Sequence, residues 1–201
     1  ILTTAAGAIL YDVLHLNMAL IIAVLYVAYG IFISYYKANE ILTIFVIFTS
    51  LLLPYLLEYM EFSELLIIQF VVILFAAIQF VIVKHRQQIA LHITTSFTHL
   101  SALALWGLSE NVDMYFAIGL LLITSIYLYS WWKLYEPESK WRAIHEGLLF
   151  SYHVFALITL LFVTNDLVFD TILFLLMLVI YSITAFVAYK ERLQHVVDVA
   201  A

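Results

Sequence analysis

The sequence predicts an all-α protein, a polytopic bundle of transmembrane helices. Of its 201 residues, 66% are hydrophobic and only 11% are charged, whereas soluble domains are nearer one half apolar and one quarter charged. Long apolar stretches follow one another, and about 20 such residues cross the hydrocarbon core of a bilayer as a helix. Backbone in lipid must satisfy its own hydrogen bonds, and these stretches are too long for barrel strands, so we expect helices.

Seven stretches are long and apolar enough to span the bilayer. No linker or change of composition divides the chain, so we expect one transmembrane domain over residues 1–201. Residues 1–17 are expected to form the end of a partial helix followed by an outer loop, and Pro54 is expected to kink the second span. The predicted helices cover residues 18–36, 41–60, 65–83, 89–109, 114–133, 144–164 and 169–189.

The distribution of charge predicts the orientation. All eight Lys and Arg residues lie in alternate joints, whereas the intervening joints carry only acids. By the positive-inside rule the basic joints are cytoplasmic, which places the N-terminal end outside and the C-terminus inside a plasma (inner) membrane. The basic residues are Lys37; Lys84 and Arg86; Lys133, Lys140 and Arg142; Lys190 and Arg192.

The expected partner is the lipid bilayer, with other membrane subunits as further candidates. No basic patch is large enough to indicate nucleic-acid binding. The chain has no cysteine, which excludes disulfides, thiolate metal sites and a cysteine nucleophile. It has no Walker loop and no GxGxxG, GxSxG or HExxH motif, so we expect a non-enzymatic protein.

One predicted helix carries a polar stripe. His92, Thr95, Ser96 and His99 recur at helical spacing within residues 89–109, which places them on one face. Polar side chains are costly in lipid, so we expect this face to lie against protein or water. On the other predicted helices, the candidate interior residues are Gln69, Gln79, Glu146 and His153.

Two histidines reach the middle of the membrane in this topology. His99 and His153 lie about 15 Å and about 13.5 Å from the cytoplasmic starts of their predicted helices. Such groups can form a proton or solute path, bond helices to each other, or bind haem b as a pair of axial ligands. No glycine accompanies either histidine to make room for a porphyrin, so we expect no cofactor and keep haem b as an alternative.

We therefore expect a membrane module that passes or senses a small solute, a proton or a lipid. One alternative is a haem b-binding electron-transfer subunit with His99 and His153 as its iron ligands. Another alternative is a structural subunit of a larger membrane complex.

Three pieces of the chain share a pattern in which a short basic and aromatic joint leads into an apolar helix. The pieces are residues 37–55 (KANEILTIFVIFTSLLLPY), 84–106 and 140–162. In this pattern they resemble a large bacterial family of many-spanning membrane proteins, the domain of unknown function 2339. The resemblance implies a multi-pass protein of a bacterial plasma membrane, and it implies no catalytic or binding residue.

Overall fold

The computed structural model of the protein describes residues 15–108, 113–136 and 138–163, together with a few positions between 171 and 186. Every regular element within these residues is an α-helix, which confirms the predicted all-α class. Contacts within the chain divide it into two compact units, Ile1–Val112 and Asp113–Ala201. The single transmembrane domain therefore stays a prediction.

Six of the predicted helical segments are helical in the described residues, with ends within two residues of the prediction. The first unit contains α1 (Leu16–Lys37), α2 (Glu40–Ser50), α3 (Leu52–Tyr59), α4 (Glu64–His85) and α5 (Gln88–Leu108). The second unit contains α6 (Asp113–Leu134) and α7 (Arg142–Val163). Most of the predicted helix 169–189 and most of the predicted outer segment 1–17 lie outside the described residues.

Five helical segments in the described part of the chain are long and apolar enough to cross a membrane. α5 is not among them, although it has 21 residues, because its histidines and hydroxyl side chains lower its hydropathy. The fold is thus compatible with a multi-pass membrane protein, and the prediction of seven spans is not confirmed. The five segments are Asn17–Lys37, Glu40–Tyr59, Glu64–His85, Met114–Leu134 and Arg142–Leu160.

The second predicted span is interrupted. α2 ends at Ser50 and α3 begins at Leu52, with Pro54 inside the first turn of α3. A proline ring clashes with the carbonyl group four residues earlier, which here belongs to Ser50. The expected distortion is therefore present, one turn before the proline.

Two tight turns close the first unit at one end. Ala38 follows α1 and Arg86 follows α4, and both adopt left-handed backbone conformations, with φ values of 51° and 55°. Such conformations end a helix and allow the chain to reverse direction. Between the two turns, the ring of His85 packs edge-on against Tyr35, with 5.3 Å between the centroids. The last turns of α1 and α4, together with Arg86 directly after α4, carry the basic residues of this unit, so we call this end the basic end.

α1 approaches α2 closely at a glycine. A Cβ atom at Gly30 would lie 3.3 Å from Cγ1 of Val46. One turn further along α1, the buried hydroxyls of Ser34 and Thr43 are hydrogen bonded at 2.6 Å. Small and hydroxyl-bearing residues of this kind are typical of contacts between membrane helices.

Candidate functional site: the polar column of α5

α5 buries a face of polar side chains inside the first unit. Four of them are fully buried, and the other two are 8% exposed. Between the first and the last of the six, the helix rises about 13.5 Å. Burying polar groups is costly unless they are hydrogen bonded, so this face is the candidate site. We call it the polar column, which consists of His92, Thr94, Thr95, Thr98, His99 and Ser101.

Three threonine hydroxyls of the polar column donate to backbone carbonyl groups of their own helix. Thr94 donates to Ala90 at 2.7 Å and Thr95 to Leu91 at 2.7 Å, and Thr98 donates to the carbonyl of Thr94 at 2.8 Å. A hydroxyl has a single hydrogen. The three oxygens therefore present only acceptor positions to the rest of the unit.

α4 places one amide against this row of acceptors. Gln79 is 2% exposed, and its Nε2 lies 3.3 Å from Oγ1 of Thr94 and 3.4 Å from Oγ1 of Thr95. Because both threonines can only accept, the amide must direct its NH2 group towards them. This requirement resolves the usual ambiguity between the nitrogen and the oxygen of a glutamine, and it turns Oε1 away from the threonines.

α5 is held near both ends by other helices of the first unit. At its start, the backbone N–H of Ala90 donates to Oε1 of Glu40 at 2.8 Å, a favourable place for a carboxylate because helix N-termini carry partial positive charge. Towards its end, the hydroxyls of Ser101 and Tyr55 are 3.3 Å apart, and the Tyr55 hydroxyl donates to the Ser101 carbonyl at 3.4 Å. These contacts fix the position of the polar column against α2 and α3.

Two predicted interior residues of the first unit are exposed. Ser96 lies about 160° around α5 from Thr98, which is near the centre of the buried face, and Gln69 lies about 80° around α4 from Gln79. Both positions fall past the edge of the face that the unit buries, so neither Ser96 nor Gln69 lines its interior. The other predicted residues of this unit are buried, namely His92, Thr95, His99 and Gln79.

Sequence reasoning missed three members of the polar column. The predicted stripe was centred on the two histidines, which lie at one edge of the buried face. It therefore omitted Thr94, Thr98 and Ser101. The sequence did contain a feature that indicates this face. Ala90 and Ala102 are also buried on it, and small residues are typical of contacts between membrane helices.

In the second unit, Glu146 is part of an ion-pair cluster that joins the end of α6 to the start of α7. The side chain of Glu146 is 3% exposed, and that of its partner Arg142 is 41% exposed. Oε1 of Glu146 accepts hydrogen bonds from the Tyr135 hydroxyl and from Nε of Arg142, both at 2.8 Å. Burial, and then the hydrogen bond to Glu146, raise the pKa of Tyr135 to about 12.

His153 is buried on α7. Its Nδ1 lies 2.7 Å from the carbonyl oxygen of Leu149, a contact that requires a hydrogen on Nδ1. In the neutral ring this tautomer puts the lone pair on Nε2. His99 belongs to the first unit and His153 to the second, and their joint ligation of haem b stays a prediction.

No group of three or more His, Cys, Asp and Glu side chains that could hold a metal ion occurs in the part of the chain that the structure describes. Comparison of the chain with protein-family models, with curated proteins and with solved structures gives no match. The resemblance to the domain of unknown function 2339 therefore stays a prediction. Over the residues that the structure describes, the fold is all-helical, with five candidate membrane spans and a buried polar column.

Proposed function

We propose that the protein is a multi-pass membrane module that passes or senses a small polar solute or a proton along the polar column of α5. The observation that carries this proposal is the burial of six polar side chains on one helix face. Polar contacts between membrane helices contribute only about 0.6 kcal/mol each. Helix packing alone therefore does not explain why six polar side chains are concentrated on one face. A polar route through the first unit does explain it.

In this proposal α5 spans the membrane in the interior of the bundle, where other helices shield its polar face from lipid. The predicted helix 169–189 supplies a further span. The basic end faces the cytoplasm of a bacterial plasma membrane, so the N-terminal end lies outside and the C-terminus inside. The ends of α1 and α4 support this orientation because both carry basic residues at the same end of the first unit.

The chemistry of the polar column suits a proton or a hydrogen-bonding solute. The hydroxyl oxygens of Thr94, Thr95 and Thr98 accept hydrogen bonds, whereas the imidazoles of His92 and His99 can both donate and accept. An imidazole can take up a proton at one nitrogen and release one from the other. A proton or a small donor could therefore move from group to group along α5.

The test is a flux measurement in proteoliposomes. Vesicles loaded with a pH-sensitive dye report proton entry driven by a potassium diffusion potential, and swelling reports entry of small neutral solutes. We expect flux in the wild type, and we expect His99→Leu and Thr98→Val to lose most of it. Ser96→Ala and His15→Leu are matched controls because both side chains are exposed, and they should retain the flux. Wild-type vesicles no more permeable than protein-free vesicles would exclude a path.

Electron transfer through haem b is a second candidate. The observation that favours it is the contact between Nδ1 of His153 and the carbonyl of Leu149, because histidine ligands usually donate their other ring N–H to such a group. A reduced-minus-oxidised absorption spectrum of protein produced with ample haem tests the candidate. A Soret band that disappears in both His99→Ala and His153→Ala is the expected result, and a spectrum without a Soret band would exclude it.

A further inference from the structure

Four buried polar atoms in the second half of α4 and in the turn that follows it have no hydrogen-bond partner among the protein groups that the structure describes. They are Oε1 of Gln79, Nε2 of His85, and both Oε1 and Nε2 of Gln87. Gln79 is 2% exposed and Gln87 is 4% exposed. Native proteins rarely leave buried polar groups without a partner, so this concentration within residues 79–87 points to a bound ligand.

Reversing the side-chain amide of Gln79 does not supply the missing hydrogen bond. Rotating its amide by 180° would place Oε1 against Thr94 and Thr95, whose hydrogens are already donated to backbone carbonyl groups. Two acceptors would then face each other. Oε1 of Gln79 must therefore accept its hydrogen bond from something other than the threonines.

The unpartnered atoms define the chemistry of the ligand. The oxygens of Gln79 and Gln87 need donors, whereas the NH2 group of Gln87 needs an acceptor. A metal ion could serve the two oxygens and the imidazole nitrogen of His85 but not the NH2 group of Gln87, and an anion could serve neither oxygen. The end of α4 and the turn after it already carry Lys84, His85 and Arg86. The carboxylate of Glu40 beside this turn accepts from the backbone N–H of Ala90, so burying a further cation there is disfavoured. A small neutral molecule that both donates and accepts satisfies every requirement, and water is such a molecule.

We infer that the second half of α4 and the turn between α4 and α5 hold ordered water, with one molecule donating to Oε1 of Gln79 and others bonded to the side-chain amide of Gln87. Gln87 directly precedes α5 at the basic end, and Gln79 touches the polar column at Thr94, about 10 Å further along α5 by helical rise. The waters therefore stand at two successive depths on the route into the polar column. The role of these water molecules as an entrance to the polar column rests on the proposed function, whereas the presence of the water molecules does not.

Infrared spectroscopy of labelled glutamine tests the inference. The chain has five glutamines, so replacing Gln69, Gln88 and Gln194 by Asn leaves only Gln79 and Gln87 to carry a carbon-13 label on the side-chain carbonyl. Hydrogen bonding lowers the frequency of the carbonyl stretch. We expect both carbonyls to absorb where free glutamine absorbs in water. A band where propanamide absorbs in alkane would show an unbonded carbonyl and would overturn the inference.

The same samples identify the donor. Exchange into oxygen-18 water should shift a stretching band of bound water in the wild type, and this band should be absent from Gln79→Leu. If the carbonyls are hydrogen bonded but no band responds to oxygen-18, the donor is not water and the inference fails. Because the readout does not involve transport, bound water without flux would refute the proposed function and leave the water sites standing.

Discussion

The carboxylate of Glu40 accepts a hydrogen bond of 2.8 Å from the backbone N–H of Ala90, fifty residues further along the chain. Glu40 lies in the first turn of α2 and Ala90 in the first turn of α5. Each helix start carries partial positive charge, so one carboxylate stabilises two helices at the basic end. The contact also fixes the axial position of α5 relative to α2, and therefore the depth of the polar column.

Glu40→Ala should lower the free energy of unfolding by about 1.5–3 kcal/mol, the usual contribution of a hydrogen bond to a charged group. Glu40→Gln should lose less because its amide oxygen can still accept from Ala90. Titration with a denaturing detergent, followed by circular dichroism, measures the change. Glu138→Ala removes an exposed carboxylate and serves as the control. If Glu40→Ala and Glu138→Ala had equal stabilities, the contact would contribute nothing.

Gly30→Leu should separate α1 from α2. A Cβ atom at this position would already lie 3.3 Å from Val46, so a larger side chain must displace its neighbours, at a cost of about 1–3 kcal/mol in the free energy of unfolding. Gly107→Leu is the matched control, because nothing lies within 4 Å of a Cβ atom there. Thermal melting should show a lower midpoint for Gly30→Leu alone, and equal midpoints would contradict the close approach.

Gln79→Glu should be the most harmful change on α4. The carboxylate would face Thr94 and Thr95, which can only accept, and it would bury an uncompensated charge, so we expect a loss of about 3 kcal/mol in the free energy of unfolding. Gln79→Met keeps a similar volume without charge and should lose less. Acid should reduce the loss for Gln79→Glu, because the protonated carboxyl can donate to a threonine. Equal, pH-independent losses in the two variants would refute the proposed orientation of the amide.

Tyr135 should make the second unit sensitive to alkaline pH. Its pKa is raised from 10.0 to about 12, so folding favours the neutral phenol. The resulting stabilisation is fully present below pH 10.0 and is lost as the pH rises through about 12. The tyrosinate absorbance of the wild type minus that of Tyr135→Phe isolates this group. We expect a step near pH 12, and Tyr36→Phe controls for the loss of one phenol. A step near pH 10 would contradict the buried hydrogen bond to Glu146.

Most of the secondary structure could be predicted from the sequence, and part of the candidate site could. Apolar length and charged joints are local properties, which is why the outer ends of six predicted helical segments lie within two residues of their predicted positions, although one segment is divided into α2 and α3. The burial of His92, Thr95, His99 and Gln79 followed from the cost of exposing polar groups to lipid. Ser96 and Gln69 were predicted to be interior but are exposed. A polar side chain on an apolar helix indicates that the helix has an interior face, but it does not indicate how wide that face is.

The sequence by itself determined the all-α class, the helix boundaries and the alternation of basic and acidic joints. Tertiary structure alone decided that Glu40 meets Ala90, that the buried face of α5 centres on Thr98, and that Gln79 directs its NH2 group at Thr94 and Thr95. The physical reason is that lipid-facing and protein-facing surfaces of such helices are both apolar. Hydropathy therefore defines the length of each helix, whereas contacts between residues distant in sequence define its rotation and its neighbours.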